Sequence, residues 1–242
     1  MEKLTKEFLM ENGAPEEVLE AFPDGGEYQA ILDKCAEYDS DVYEFGCKLI
    51  DRVGETNDVR VYYAGDVNEN TRILFAGDVE IKGGSVRIRS IMAGGKIEVG
   101  WDIEARNSII AGKGISAVGN IGAGEDIRTS GSISSGWGIS ADEEIYAVGN
   151  IHAKFDIDAV KVYAGGNIKA GWDISVERRL SAIGDIIAGG EITSGKEIGT
   201  RGNLYAGKKI RVKGSLLVSG NIHAGSIIKI EGEIQPYMDD ED

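Results

Sequence analysis

Only two histidines occur in the chain, and histidine is a side chain commonly used for acid-base chemistry and for binding transition metals. Both stand in the same phrase, NIHA, which occurs at 150–153 and again at 221–224. A second phrase is repeated as VGWDIEA at 99–105 and AGWDISV at 170–176. The same interval of seventy-one positions separates the two copies of each phrase. This shared spacing indicates a repeating architecture that positions both histidines.

Two cysteines and one acidic cluster are the other groups that could bind a metal or react. Cys35 and Cys47 lie twelve positions apart with no histidine near them, so we expect reduced thiols without a catalytic role. The acidic cluster comprises Glu125, Asp126, Asp142, Glu143 and Glu144. It has no companion histidine, and its corner turns basic at Arg178 and Arg179. We expect a solvated edge, and the sequence predicts no catalytic residue, metal or cofactor.

Aliphatic residues recur every six positions over most of the chain. The first run is Ile91, Ile97, Ile103, Ile109, Ile115, Ile121, Ile127, Ile133, Ile139, Ile145, Ile151 and Ile157. The second run is Ile168, Ile174, Leu180, Ile186, Ile192, Ile198, Leu204, Ile210, Leu216, Ile222, Ile228 and Ile234, and Val162 joins the two runs one residue early. Two positions later the residue is usually small, so each hexad holds a very short strand with alternate residues inward. Such hexads must stack to form a core, which predicts a β-solenoid.

Regularly spaced glycines indicate that three hexads make one coil. They recur at every eighteenth position, except for one interval that is one position shorter, and are Gly131, Gly149, Gly166, Gly184, Gly202 and Gly220. Each is followed by Ser, Asn or Asp, and the short interval coincides with the early Val162. Glycine and Asn tolerate positive φ, and stacked Asn side chains can hydrogen-bond between coils, so we expect a ladder at this corner. The spacing of the repeated phrases is then four coils less one residue.

The predicted fold is mostly β, a three-sided β-solenoid of nine to ten coils over residues 59–234, with a right-handed coil favoured. Residues 1–58 form an acidic α-helical cap of three or four helices, and 235–242 form an acidic tail. The irregular stretch 79–91 is expected to be a loop or a transition coil. We expect the cap and the tail to cover the two ends of the rod. The expected core of the cap is Ile31, Leu32, Cys35, Phe45, Leu49 and Ile50.

The net charge of −15 is unevenly placed, since residues 1–60 contribute −10 and residues 239–242 contribute −4. A nucleic-acid-binding protein presents a basic face, and none is evident, so we expect no direct nucleic-acid binding. No apolar run is long enough to cross a bilayer, and nothing near Met1 resembles a signal peptide. The sequence therefore predicts a cytoplasmic protein that binds no membrane.

Two columns of outward residues are the candidate interfaces. The corner column contains Trp101, Trp137, Phe155 and Trp172, with Gly119 between the first two. The column on one face reads Met92, Ile110, Arg128, Tyr146, Tyr163, Ser181, Gly199 and Leu217. Aromatic residues concentrate in interface hot spots, whereas rings at a corner can also serve only to pack it, and an aromatic ladder also stabilises the rod itself. Both alternatives stay open for Trp101, Trp137, Phe155, Trp172, Tyr146 and Tyr163.

The aliphatic hexads of 61–234, with their frequent Gly and Asn, resemble those of bactofilin-type polymer-forming cytoskeletal proteins. This resemblance implies a β-helical rod that polymerises end to end. The helical segment LTKEFLMENGAPEEVLEAF followed by hexads also resembles uncharacterised proteins of bacteria and their phages. That second resemblance implies a source and an architecture but no activity.

Three functions follow from these patterns. The preferred one is a non-enzymatic scaffold, a homo-oligomer that self-associates through a flank or binds a protein partner. The alternative is a phage-type effector that blocks a host protein, with the acidic helical module imitating nucleic acid. The third is a hexapeptide-like acyltransferase, which is disfavoured because the small residue follows two positions after the aliphatic residue instead of four. His152 and His223 would also lie about 19 Å apart on one column and could not share a substrate or a metal.

Overall fold

In the computed structural model, which describes residues 3–38 and 41–237, the hexads form a three-sided β-solenoid of parallel strands. Ile109 pairs in register with Ile127, and Ile127 pairs with Ile145 one coil further on. The face that begins at Val59 contains 10 strands, one for each coil. The predicted solenoid, in which equivalent positions recur at every eighteenth residue, is confirmed. The preference for a right-handed coil stays a prediction.

The strands fall on three faces, which we call A, B and C in the order in which the chain visits them. Face A contains Val59–Tyr63, Asp78–Lys82, Lys96–Val99, Gly114–Ala117, Ser132–Ser135, Ile151–Ala153, Ile168–Ala170, Ile186–Ala188, Leu204–Ala206 and Ile222–Ala224. Face B contains Val86–Ile88, Ile103–Ala105, Ile121–Ala123, Ile192–Ser194, Lys209–Val212 and Ile227–Ile230. Face C contains Arg72–Phe75, Ser90–Ala93, Ile109–Ala111, Ile127–Thr129, Glu197–Thr200, Leu216–Val218 and Ile234–Gln235. Three longer strands bend around the corner from face B to face C: Ile139–Ala147, Ile157–Ala164 and Ile174–Ala182.

The stacked hexad positions form one continuous core along the rod. Each hexad aliphatic from Ile91 to Leu216, including Val162, is buried. Burying one such side chain contributes about 2 kcal/mol, so the stacked coils stabilise one another. The small inward positions also accept hydroxyls, because Ser135 Oγ lies 2.7 Å from the Gly119 carbonyl oxygen and Ser194 Oγ lies 2.8 Å from that of Arg178.

The coil that contains Val162 is one residue short, as the spacing predicted. Ile145 pairs with Val162 and Ile157 pairs with Ile174, and both intervals are one position shorter than the usual coil. The register shifts between Ala141 and Glu144 on one strand and between Ala159 and Lys161 on the next. The missing residue is therefore absorbed at the corner between faces B and C.

The irregular stretch 79–91 is a regular coil and not a loop. Val86 pairs with Ile103, and Ile91 pairs with both Ile73 and Ile109. The turn before Val86 contains Gly83 and Gly84, with φ angles of 86° and 147°. Val86 stands seven positions after Val79 instead of the usual six. The two positive φ angles accommodate the extra residue, since they let the chain turn sharply before it rejoins the stack.

The predicted ladder of hydrogen bonds between coils lies at the corner between faces C and A, but its glycines do not have the positive φ that was expected. A side-chain oxygen on one coil accepts the backbone N–H one coil later: Asn150 Oδ1 lies 2.7 Å from Asn167 N, and Asn167 Oδ1 lies 2.7 Å from Asp185 N. None of the six ladder glycines has a positive φ. A Cβ at Gly184 would instead collide with Asn167 Oδ1 and the backbone of the preceding coil. Close packing between coils therefore selects glycine at this corner.

Four helices precede the solenoid, at Lys6–Glu11 (α1), Glu16–Ala21 (α2), Tyr28–Ala36 (α3) and Asp41–Val53 (α4). A short antiparallel pair joins Lys3–Leu4 to Gly26–Glu27, and a 3-10 turn spans Ala64–Asp66. Gly13 and Gly54 follow α1 and α4 with φ angles of 74° and 93°, which suits helix ends. The expected core is confirmed, since these residues are all buried: Ile31, Leu32, Cys35, Phe45, Leu49 and Ile50.

The helical module covers part of face C as well as the first coil. Leu74 and Met92, at outward positions of face C, are buried against the helices, and Ile110 packs partly against them. The expectation that Met92 and Ile110 face solvent is therefore wrong. Gln29 in α3 binds the free edge of the first coil, with Nε2 donating to the Leu74 carbonyl at 2.9 Å and Oε1 accepting from Ala76 N at 3.1 Å.

The opposite end of the rod is open among the described residues. Ile228 and Ile234, which occupy inward hexad positions, are 45% and 62% exposed because no later coil stacks on them. Tyr237 does not cross this end; its ring lies over Gly199 on face C, and its carbonyl accepts a hydrogen bond from Ser219 Oγ at 3.3 Å. The expectation of a tail that covers this end is not met by residues 235–237, and residues 238–242 lie outside the described residues.

Candidate functional site

The predicted corner column is present between faces A and B, and we call Trp101, Trp137, Phe155 and Trp172 the tryptophan stripe. Trp137 and Phe155 meet edge to face with ring centroids 6.1 Å apart, and Phe155 meets Trp172 in the same way at 5.0 Å. Trp101 stands two coils before Trp137, with Gly119 between them, so it has no ring contact along the stripe among the described residues. The stripe is a block of three rings and one separate ring.

The backbone beneath the stripe is fixed by a second ladder, which the sequence reasoning missed. Asp102 Oδ1 accepts from Asn120 N at 2.6 Å, and Asp173 Oδ1 accepts from Glu191 N at 2.7 Å. The Asn120 N–H and the Ser85 hydroxyl hold the pKa of Asp102 below its usual value, because both stabilise the carboxylate. The signal was available in the sequence, since each aromatic residue of the stripe except Trp137 is followed by Asp.

The three tryptophans of the stripe are about half exposed. Trp101, Trp137 and Trp172 are 50%, 49% and 60% exposed. The stripe therefore presents a line of large apolar surface along one edge of the rod, which is the composition found at protein interfaces.

The two tyrosines of the second column stack on face C. The rings of Tyr146 and Tyr163 are 5.0 Å apart and only 13° from parallel. Face C is opposite the corner that carries the stripe, so the six candidate interface residues form two separate surfaces. Ser181 and Gly199, further along the same column, are buried, the latter beneath Tyr237, so the expectation that they face solvent is wrong.

A groove runs along face C over the stacked tyrosines, and we call it the tyrosine groove. The helical module closes one end, with Ile50 and Gly54 on its wall, and Tyr237 closes the other. Two cavities of about 690 and 650 Å³ make up the groove. They share Glu144 and Tyr146 as lining residues and so adjoin one another along face C.

The part of the groove beside Tyr237 is basic. Glu144 pairs at 2.9 Å with Arg128, which lines the other part of the groove, and Arg179 Nε lies 3.0 Å from Glu197 Oε1. The remaining cations of the wall, all exposed, have no ion-pair partner within residues 3–38 and 41–237: Lys161, Arg178 and Lys196. The charge pattern of the sequence singles out Arg178 and Arg179 but not the two lysines. The register could have revealed Lys161, which pairs with Arg179 once the short coil is allowed for.

The two histidines, which are expected to be inactive, lie apart from each other on face A. His152 lies on face A in register with Lys169, while His223 stacks on the Tyr205 ring at 5.0 Å. Burial raises the pKa of Cys35 and of Cys47 to about 12, so both are protonated thiols at neutral pH. Within the described part of the chain, no three His, Cys, Asp or Glu side chains are grouped to hold a metal ion.

Comparison with known proteins adds no assignment. No family model matches the chain, and neither a curated protein nor a solved structure shows significant similarity to it. None of the helices among the described residues has the length and apolar character needed to span a membrane.

Proposed function

We propose that this protein is a non-enzymatic structural scaffold, a rigid β-solenoid rod that self-associates through its open C-terminal end. The observation that supports it most directly is the exposure of the inward residues Ile228 and Ile234 on the last coil. From Ile91 to Leu216 the same hexad positions are buried, and Ile222 is partly buried. Ile228 and Ile234 are therefore core-type side chains that nothing covers among the described residues. A second coil stacked on them would complete the core.

The open end also presents unpaired strand edges. In the described residues, Ile222–Ala224, Ile227–Ile230 and Ile234–Gln235 each pair with the preceding coil on one side only. An exposed strand edge with apolar side chains is a template for pairing with another chain. The other end is closed by the helical module, where Gln29 occupies the free edge.

One open end and one closed end favour a dimer over a filament. Two copies that meet through the same surface form a twofold interface, which closes on itself. Each rod is roughly 48 Å long at about 4.8 Å per coil, so the dimer would be roughly 95 Å long. The end-to-end polymers implied by the bactofilin resemblance need a second open end.

The test is the oligomeric state of paired variants. Light scattering coupled to size exclusion should give about twice 25.9 kDa for the wild type and the monomer mass for Ile228→Asp with Ile234→Asp. Ile183→Asp is the matched control, because Ile183 is also exposed, at 40%, but lies on the side of the rod. A monomeric wild type, or a control that dissociates as readily, would exclude this mode of association.

The tryptophan stripe is the second proposed contact surface, and it would bind a protein partner on the flank of the rod. Its three half-exposed indoles lie along one edge, where the ladder below holds the backbone in place. Buried aromatic anchors commonly supply the largest share of an interface's binding energy. The stripe would let a scaffold bind a partner while its end is engaged.

A combined Trp101→Ala, Trp137→Ala and Trp172→Ala variant tests the stripe. We expect a folded protein with an unchanged oligomeric state and with loss of partners captured from its native host by the wild type. Thermal unfolding and light scattering verify the fold and the dimer. Capture of the same partners at wild-type yield would remove the stripe from the proposal.

A further inference from the structure

The tyrosine groove combines aromatic rings with unpaired positive charge in a chain whose net charge is −15. Tyr146 and Tyr163 form its stacked floor, and Tyr237 forms its far wall. Lys161, Arg178 and Lys196 stand along one side with no ion-pair partner in the described residues. The part of the groove beside Tyr237 therefore has a net positive charge, whereas the protein as a whole is strongly negative.

These cations follow the rod axis. Lys161 is in register with Arg179 on the next coil, and Lys196 N bonds to the Arg178 carbonyl one coil earlier at 3.0 Å. Neighbouring coils are about 4.8 Å apart, so the charged side chains recur at short, regular steps along the groove. An extended polypeptide lying along the axis can present carboxylates at similar intervals.

The chain itself places an aromatic side chain on this face. After Gln235 the backbone leaves the last coil, and the Tyr237 ring is placed over Gly199, while its carbonyl accepts from Ser219 Oγ. An aromatic side chain is therefore accommodated on the floor of face C because Gly199 has no side chain there. This seat is next to the unpaired cations.

We propose that the tyrosine groove binds an acidic, extended peptide segment of a partner protein that carries an aromatic residue. The aromatic ring packs against Tyr163 and Tyr237, and the carboxylates of the peptide pair with Lys161, Arg178 and Lys196. Charge complementarity of this kind selects the partner and its orientation, because the acidic remainder of the surface repels the same peptide. This inference deepens the protein-binding part of the proposed function and does not depend on the open end.

The probe is a fluorescent hexapeptide with one tyrosine and four acidic residues, titrated against the full chain by fluorescence anisotropy. We expect saturable binding that weakens as salt is added, and at least roughly tenfold weaker binding to Lys161→Glu with Lys196→Glu. Lys154→Glu with Lys169→Glu is the matched control, since it changes the net charge equally outside the groove. A Tyr163→Ala variant should also weaken binding.

Peptides in which the acidic residues are replaced by amides, or the tyrosine by alanine, test the two parts of the recognition. Comparable binding of either peptide would overturn the proposal, as would an equal loss in the control variant or tighter binding of a single-stranded oligonucleotide. Shortly after Tyr237, the sequence contains four carboxylates, at Asp239, Asp240, Glu241 and Asp242. A further variant therefore replaces these four residues by their amides. Unchanged peptide binding supports a partner as the occupant, whereas much tighter binding would assign the groove to the chain's own carboxylates instead.

Light scattering on the same samples separates this proposal from the proposed dimer. The groove variants should keep the wild-type mass while losing the peptide. The Ile228→Asp with Ile234→Asp variant should bind the peptide as the wild type does. If the wild type forms the dimer but does not bind the peptide, only the inference on the groove is overturned.

Discussion

At the level of single residues, the corner glycines show how closely the coils are stacked. Gly184 has an ordinary negative or extended φ, yet a Cβ there would collide with Asn167 Oδ1 and the Gly166 carbonyl. The glycine is needed for space and not for conformational freedom. Because Gly184 has no Cβ, the side-chain oxygen of Asn167 has room to accept a hydrogen bond from Asp185 N.

Replacing this glycine should destabilise the rod. We expect Gly184→Ala to lower the free energy of unfolding by about 1–3 kcal/mol, which is typical of overpacking. Gly65→Ala is the control, because Gly65 lies outside the positive-φ region and has open space around its Cα. The urea midpoints of the two variants, measured by circular dichroism, test this expectation. Similar midpoints would contradict the role of close packing at Gly184.

The aspartate ladder should make the free energy of unfolding depend on pH. The pKa of Asp102 is lowered by the Asn120 N–H and the Ser85 hydroxyl, so its ionised form is favoured by folding. This contribution is full above the ordinary Asp pKa of about 4 and is lost as the pH falls through the lower, folded-state value. Asp102→Asn keeps an acceptor oxygen but cannot titrate.

We therefore expect the wild type to lose more stability than Asp102→Asn between pH 7 and pH 3. Urea midpoints at the two pH values provide the measurement, and the difference between the two changes isolates Asp102 from the other carboxylates. Equal changes in the two proteins would mean that the ladder bond does not favour the ionised form.

At the level of elements, α3 acts as an edge partner for a strand. Gln29 is bonded to both an acceptor and a donor on the first coil, the Leu74 carbonyl and Ala76 N. Asp33 on the same helix pairs with Arg60 of the first strand at 2.7 Å. One helix thus supplies the polar contacts that a further coil would otherwise make.

Gln29→Leu should lower the free energy of unfolding by about 1–3 kcal/mol, because it leaves two backbone groups of the edge without this partner. Gln29→Glu should be intermediate, since a carboxylate can accept from Ala76 N but cannot donate to the Leu74 carbonyl. Thermal or urea unfolding measures both variants. A Glu variant as stable as the wild type would show that the bond to Leu74 contributes nothing.

The solenoid was predictable because its hexads depend only on neighbouring coils. Burial at one position repeats at every eighteenth residue, so the period of Ile109, Ile127 and Ile145 is enough to define the stack. The path of the helical module was not predictable in the same way. Nothing in the pattern of Met92 or Ile110 distinguishes an outward residue in solvent from one beneath a helix, since the contact joins distant parts of the chain.

The candidate site was predictable in part for the same reason. Tyr146 and Tyr163 occupy equivalent positions on adjacent coils, and their stacking follows from the period. The seat of Tyr237 over Gly199 does not, because the chain leaves the repeat after Gln235. The groove is formed where repeating and non-repeating segments meet, and its two end walls come from outside the solenoid.

At the level of the whole molecule, charge opposes association. Each copy carries −15, of which −4 lies in residues 239–242, directly after the open end in sequence. Two such copies repel one another over distances comparable to the Debye length, which is about 10 Å at 0.1 M salt. Apolar contact between the last coils has to overcome this repulsion.

The proposed dimer should therefore tighten with added salt. We expect the dissociation constant to fall severalfold between about 0.02 M and 0.5 M sodium chloride, as screening reduces the repulsion. Sedimentation velocity across this range gives the constant directly. Peptide binding in the tyrosine groove should weaken over the same range, so the two trends run in opposite directions in one protein.

The short coil at Ala159–Lys161 carries a practical consequence. Its neighbour has Asp142 and Glu143 where the short coil has Val160 alone, yet the two coils pair normally on either side of the corner. A change of length there is confined to the corner and is not passed to the next coil. This corner is thus a natural attachment point, where an inserted cysteine or tag could carry a spectroscopic label at a known height on the rod.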